Sequence, residues 1–231
     1  DDIKKRIEHN APDGLLGINI GPNKDTDNMY NDFLSCAKTF FPIGDYITIN
    51  ISSPNTEGLR NFHEKENLEK LLIKINEIRK ESNFKKSFLL KISPDLDESS
   101  INNIVDLSLK NNINGIILTN TSDKNRDKLI DNQKNEKGGL SGQPIKDLST
   151  KIIKKFYKKL NGKIPIIGVG GVDSGNAAFE KIAAGASAIQ LYTGMIYKGP
   201  MIVKEIKKGL IIKLNEKGFK NISEAVGSNS N

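Results

Sequence analysis

The densest chemistry in the 231-residue sequence is Asn50-Ile51-Ser52-Ser53-Pro54-Asn55-Thr56, with Gly58-Leu59-Arg60 close behind. An apolar run ends there in a proline turn that carries hydroxyls and amides. Amides offer paired donors and acceptors, which suits a planar imide such as a pyrimidine. A serine can act as a base only in a secluded site with a hydrogen-bonded route for the proton, because its intrinsic pKa is unfavourable. Taken alone, the same segment also fits an Asx or Ser turn that caps a helix.

A second segment, Ile164-Pro165-Ile166-Ile167-Gly168-Val169-Gly170-Gly171-Val172, followed by Ser174-Gly175, takes an apolar run into a glycine-rich turn at a helix start. Bare backbone N–H groups in such a turn cradle a phosphate, and the helix dipole assists. The alternative is a tight turn whose glycines serve packing. Lys91, in Leu90-Lys91-Ile92-Ser93-Pro94-Asp95, ends another apolar run. A buried ammonium there needs an anionic partner, unless the side chain snorkels to solvent. Thr119-Asn120-Thr121 again stands at the end of an apolar run, and Gly138-Gly139-Leu140-Ser141-Gly142 permits close approach of backbone to a ligand.

These groups need a frame that brings them together. Six short apolar runs, Leu15–Ile20, Tyr46–Ile51, Ser87–Ile92, Gly115–Thr119, Ile164–Val169 and Ala188–Tyr192, have the length of buried strands bounded by Gly, Pro, Asn or Asp. Helical patterns lie between them: Met29–Thr39, Glu66–Ser82, Ser99–Asn111, Leu148–Leu160 and Ala177–Ala184, with Val203–Lys217 closing the chain. Regular alternation predicts parallel strands joined by right-handed crossovers. Polar residues follow almost every strand, and functional groups from many strands converge on one rim only in a barrel. The expected fold class is therefore an α/β, (β/α)8 TIM-type barrel. Six strand candidates and a start inside a helix, Ile3–His9, lead to the expectation that the first two β/α units lie outside this chain. Residues 1–226 read as one catalytic domain, Ser122–Gly142 as a long charged lid, and 227–231 as a disordered tail.

Composition narrows the function classes. The sequence is 36% hydrophobic and 27% charged, ordinary for a domain with a core. The net charge of +7 comes from lysines spread over helices, with no zinc-finger or RNP motif and no Trp, so no nucleic-acid partner is expected. No apolar run is long enough to span a membrane, and the first ten residues lack the apolar stretch of a signal peptide. Cys36 is the only cysteine, which excludes a disulfide framework within the chain. His9 and His63 lack metal-ligand spacing, so both are expected on the surface and no metal site is expected.

Together the segments LLGINIGPNK, DYITINISSPNTEGLR, LLKISPDL, GIILTNTS, KGGLSGQPIKDLST, PIIGVGGVDSG and AGASAIQLYTGMIYKGP, with the closing GF…ISEAVG, resemble the dihydroorotate dehydrogenase family in order and over nearly the whole chain, Leu15 to Gly227. Soluble members of that family carry cysteine where Ser53 stands, so the resemblance is to the quinone-linked class. It implies oxidation of dihydroorotate to orotate through FMN, with quinone as acceptor, in pyrimidine synthesis. It implies Ser53 as the base, with Thr56 in its proton relay, and Asn50, Asn55, Asn120 and Thr121 around the pyrimidine. It implies FMN contacts from Asn19, Asn50, Lys91, Thr119, Ser141, Gly142, Gly170, Gly171, Tyr192 and Thr193. It also implies peripheral contact with a mitochondrial inner or bacterial cytoplasmic membrane through an N-terminal segment that this sequence does not include. Pro22 departs from the family's common lysine. Two rival readings are another flavin barrel acting on a pyrimidine and a non-catalytic flavin- or phosphate-binding barrel fragment.

Overall fold

The computed structural model describes residues 2–124 and 126–230. Its centre is one parallel sheet in chain order: β1 (Gly17–Ile20), β2 (Tyr46–Asn50), β3 (Ser87–Ile92), β4 (Gly115–Leu118), β5 (Ile166–Gly168) and β6 (Ala188–Ile189). All six expected strands form, each within the run that predicted it, and every neighbouring pair is parallel. No pairing joins β1 to β6 among the described residues, so the sheet stays open rather than closing as a complete eight-stranded barrel.

Helices cover the sheet because their apolar residues recur at helical spacing. In α3 (Lys65–Glu81), Leu68, Leu71, Leu72, Ile75 and Ile78 form one buried stripe. Three helices of nine or more residues start with a side-chain cap. Asn28 caps α2 (Met29–Phe40), Asp97 caps α4 (Glu98–Lys110) and Ser174 caps α6 (Gly175–Ala183), each accepting from a first-turn N–H. The remaining helices are α1 (Asp2–His9), α5 (Lys146–Leu160), α7 (Thr193–Lys198), α8 (Ile202–Glu216) and α9 (Ile222–Ala225). One core cluster runs from Ile20 to Ala186.

Strand register sets where chemistry can sit. Asn50 pairs with Lys91, Lys91 with Ile117, and Ile117 with Ile167. Paired residues share a face, so these four form one row across the sheet, and Thr119 and Val169 stand one pleat beyond it.

Two expectations are corrected here. His63 is buried, with 6% of its surface exposed, in a 3-10 turn (Leu59–His63) that packs against α3; its place follows from the apolar Leu59 and Phe62 beside it, which are buried with it. The tail is not free over residues 227–230: Gly227 and Asn229 donate to the carbonyls of Ile182 and Ala183, and Ser230 Oγ donates to Ala184. These bonds satisfy carbonyls at the end of α6 that the helix itself leaves open. Asn231, also in that expectation, lies outside the described residues.

Helices α6 and α8 cross where Gly175 meets Gly209. A Cβ on Gly175 would lie 2.5 Å from the Gly209 Cα and carbonyl carbon, both backbone atoms with no rotamer to yield. Gly175→Ala is therefore expected to destabilise the fold by about 1–3 kcal/mol. Urea unfolding checks this, and an unchanged midpoint would show that the crossing can widen freely.

Candidate active site

The loops after β2, β4, β5 and β6, with Lys91 of β3, surround a cavity of about 890 Å³. Among the sequence candidates, Ser53, Asn55, Lys91, Thr119, Asn120, Thr121, Ser141, Gly142, Gly170, Gly171, Tyr192 and Thr193 line it. Asn50 stands just behind the wall, and Thr56 lies in the turn after Ser53. Asn19 is exposed on edge strand β1 and does not line this cavity. The candidates thus converge on one rim, with Asn19 apart.

Ser53 and Ser52 point different ways, as adjacent residues leaving a strand do. Ser53 faces the cavity and its Oγ accepts from the Asn55 N–H at 3.2 Å. An N–H aimed at that oxygen favours its negatively charged form, which is the direction a base needs. No hydrogen bond joins Ser53 to Thr56 among the described residues, so the relay contact implied by the resemblance is not formed here. Ser52 is fully buried; its Oγ donates to Asn50 Oδ1 at 3.0 Å and accepts from Asn120 Nδ2 at 3.0 Å. Asn120 Nδ2 also donates to Asn50 Oδ1 at 3.2 Å. This triangle fixes which way both amides face, information that lay in no single sequence motif.

Thr119 and Lys91 give the cavity its appetite for a ligand. The Thr119 Oγ1 is buried without a partner, and such an orphan costs free energy until something bonds it. Burial pushes the Lys91 ammonium below the usual lysine range, and Lys91 takes part in no ion pair among the described residues. An anionic ligand would supply what it lacks.

The glycine turn is built for a bare backbone. Gly170 and Gly171 have φ of +111° and +68°, and a Cβ on Gly171 would meet the Lys146 Cα at 2.8 Å. Behind the turn, Ser149 donates to the Val169 carbonyl and in turn accepts from Lys181 Nζ at 2.7 Å. Lys181 is wholly buried on α6, also donates to Thr150 Oγ1 at 3.1 Å, and is pushed down to about 8 by its burial. A lysine inside a helical pattern reads as surface, so nothing in the sequence singled it out.

The segment after β4 arches over the cavity. Ser122 and Leu140 exchange backbone hydrogen bonds of 3.1 and 2.7 Å and pinch its base. Arg126 folds it on itself by donating to the carbonyls of Lys134 and Gly138. Gly139 passes so close to Thr121 and Pro54 that a Cβ would lie 1.9 Å from Thr121 Oγ1. Ser141 accepts from Thr193 Oγ1 at 2.9 Å, which ties the far end to α7. Asn125, part of the expected lid, lies outside the described residues. Hydrogen exchange is expected to be fast over the mostly exposed residues 127–137 and slow at Ser122 and Leu140; uniform protection across the segment would count against a pinned but mobile lid.

A family model for dihydroorotate dehydrogenase matches residues 1–214. The chain is 45% identical over 215 residues to a dihydroorotate dehydrogenase (quinone) of Escherichia fergusonii, covering 89% of this chain and 63% of that protein. It is 43% identical over 212 residues to the protein of that name from Idiomarina loihiensis, again covering 89% and 63%. The chain therefore spans somewhat under two thirds of the length of these relatives. Among solved structures, the Eimeria tenella DHODH in complex with ferulenol superposes with a TM-score of 0.90 at 34% identity, covering 99% of this chain and 66% of that one. That match gives the open six-stranded sheet its frame, as part of a TIM-type barrel. On this sequence and this fold, the chain belongs to the dihydroorotate dehydrogenase family.

Proposed function

We propose that the protein oxidises dihydroorotate to orotate with FMN as cofactor and a quinone as final electron acceptor, a step of pyrimidine biosynthesis. The observation that carries this reading is one cavity with two kinds of wall. Hydroxyl and amide groups, Ser53, Asn55, Asn120 and Thr121, come from the loops after β2 and β4, while the bare turn Gly170-Gly171 comes after β5. Lys91 and, one pleat further on, the orphaned Thr119 hydroxyl stand between them. A phosphate-bearing, planar, anion-forming cofactor fits that set.

In this reading the Gly170 and Gly171 N–H groups hold the FMN phosphate, with Ser141, Gly142, Tyr192 and Thr193 beside it. Thr119 and Lys91 would hold the ring system, with Asn50 behind them supporting Asn120. Asn19 would contact the cofactor only from its edge-strand position. FMN supplies a two-electron acceptor for hydride from C6 of dihydroorotate. Ser53 Oγ takes the proton from C5 as its own hydroxyl proton passes on, with Thr56 the proposed next carrier toward solvent. Asn55, Asn120 and Thr121 hold the pyrimidine edge by paired donors and acceptors, so that the C5 proton faces Ser53. The Lys91 ammonium stabilises negative charge gathered beside it. No helix among the described residues is long and apolar enough to cross a membrane. Contact with a mitochondrial inner or bacterial cytoplasmic membrane is proposed as peripheral.

The test is an absorbance scan of the full-length protein. A yellow protein that bleaches anaerobically on addition of dihydroorotate and regains colour with a quinone supports the proposal. A yellow protein indifferent to dihydroorotate would mark a flavin-binding barrel with another role, and a colourless one would overturn the cofactor assignment.

A further inference from the structure

Arg60 stands outside the cavity, yet it touches two of the loops that build it and the loop after β3 that lies behind them. Its Nε donates to the Ser52 carbonyl at 3.4 Å and its Nη2 to the Thr121 carbonyl at 3.0 Å. Its Nη1 pairs with Asp95 at 3.2 Å and with Asp123 at 2.9 Å. Asp95, whose side chain is 3% exposed, also accepts from Ser122 Oγ at 2.6 Å and from the Asp123 N–H at 3.2 Å. Ser52 precedes the candidate base, Thr121 is a candidate substrate contact, and Ser122 opens the lid. Residues 52, 95 and 121 to 123 follow β2, β3 and β4 in turn.

We propose that Arg60 is a positioning residue for the reaction: it locks the Ser53 turn to the Thr121 turn and, through Asp95, anchors the first residues of the lid. The proposal rests on the dihydroorotate reading for the catalytic consequence, though not for the mechanical one. A guanidinium presents five N–H donors in a rigid fork, which can serve two carbonyls and two carboxylates at once. A lysine ammonium in its place keeps the charge beside Asp95 but cannot reach both carbonyls. The guanidinium also explains how Asp95 can be so deeply buried, since a carboxylate removed from water needs a charged, hydrogen-bonded partner.

Arg60→Lys and Asp95→Asn in the full-length protein separate the two links, and both keep the side chains close in size. Two readouts apply: kcat and KM for dihydroorotate per bound flavin, and trypsin cleavage at the exposed Lys124, Lys128, Lys134 and Lys137. Arg60→Lys is expected to lower kcat by about 10–100-fold, the usual effect of misplacing reacting groups by an ångström or less, with a smaller change in KM. It should also speed cleavage in the lid, with flavin content and melting temperature near wild type. Asp95→Asn should speed cleavage at least as much and lower kcat less, because it keeps Arg60 on both carbonyls. An Arg60→Lys protein with wild-type kcat and wild-type cleavage would overturn the proposal. So would one that merely melts earlier while kcat per bound flavin is retained, since that describes a structural ion pair alone. Should the wild-type protein ignore dihydroorotate, the functional reading fails, and the cleavage rates of the two variants alone still decide whether Arg60 anchors the lid.

Discussion

Ser53→Ala in the full-length protein should slow reduction of the bound flavin by dihydroorotate by about 10²–10⁴-fold, the usual loss when a general base is removed. The protein should stay yellow, because Ser53 lies on the wall of the cavity away from the Gly170-Gly171 turn. Its neighbour provides the control. Ser52 is fully buried and turned from the cavity, so Ser52→Ala leaves the reacting proton its acceptor. Ser52 does hold the Asn50 and Asn120 amides at 3.0 Å each, so its loss should show as weaker substrate binding together with a modest fall in rate. Ser53→Cys should keep partial activity that climbs as pH approaches about 8.5, where a thiol ionises. Anaerobic stopped-flow reduction of the three variants separates these outcomes. Wild-type reduction by Ser53→Ala, or a slower Ser52→Ala than Ser53→Ala, would remove Ser53 from the role of base.

The second large effect is on stability in acid. His63 is buried with Nε2 unpartnered. Burial first, and then the Arg60 charge, lower its pKa from 6.5 to about 4, while a hydrogen bond to the Arg60 backbone works weakly the other way. Above pH 6.5 the imidazole is neutral in both folded and unfolded chains, and the full stability is present. Between pH 6.5 and 4 the unfolded chain binds a proton that the folded one refuses, so stability falls as pH falls. The loss amounts to about 3 kcal/mol once pH drops below the folded value, at about 1.4 kcal/mol per pH unit in between. Asp45, Glu69, Asp97 and Glu98 are also held below their ordinary values by hydrogen bonds, so they add to the loss only at the acid end of this window, and its upper part belongs to His63. His63→Leu should flatten the dependence of unfolding free energy on pH between 6.5 and 4. An equally steep curve for the variant would place the acid sensitivity elsewhere.

The six strands were legible because parallel strands covered on both faces read as unbroken apolar runs with polar residues at their ends. The same logic found most of the cavity, since Ser53, Lys91, Thr119, Asn120 and Gly170 each directly follow or end such a run. Helices α7 and α9, of six and four residues, are too short to show a period. Arg60 and Asp95 could not be read because their meaning lies in a meeting of three loops far apart in sequence. His63 and Lys181 were illegible for a related reason. Polar types in a helix or turn read as surface, and only packing reveals that Leu59 and Phe62 bury the one, while Ser149 and Thr150 bond the other. Asn19 shows the converse: a strand-end polar residue whose place on an edge strand keeps it from the cavity.

Lys181 also makes the glycine turn observable from outside. An amine with a pKa of about 8 is largely nucleophilic at mildly alkaline pH, more so than an ordinary lysine, yet this one is wholly enclosed. An acylating reagent will therefore mark the exposed lysines at once and reach Lys181 only when α6 parts from α5. The rate at which Lys181 is tagged, read by peptide mass, counts those partings. It reports the breathing of the structure behind Gly170 and Gly171 in a protein that is otherwise folded, with no dye, mutation or cofactor signal.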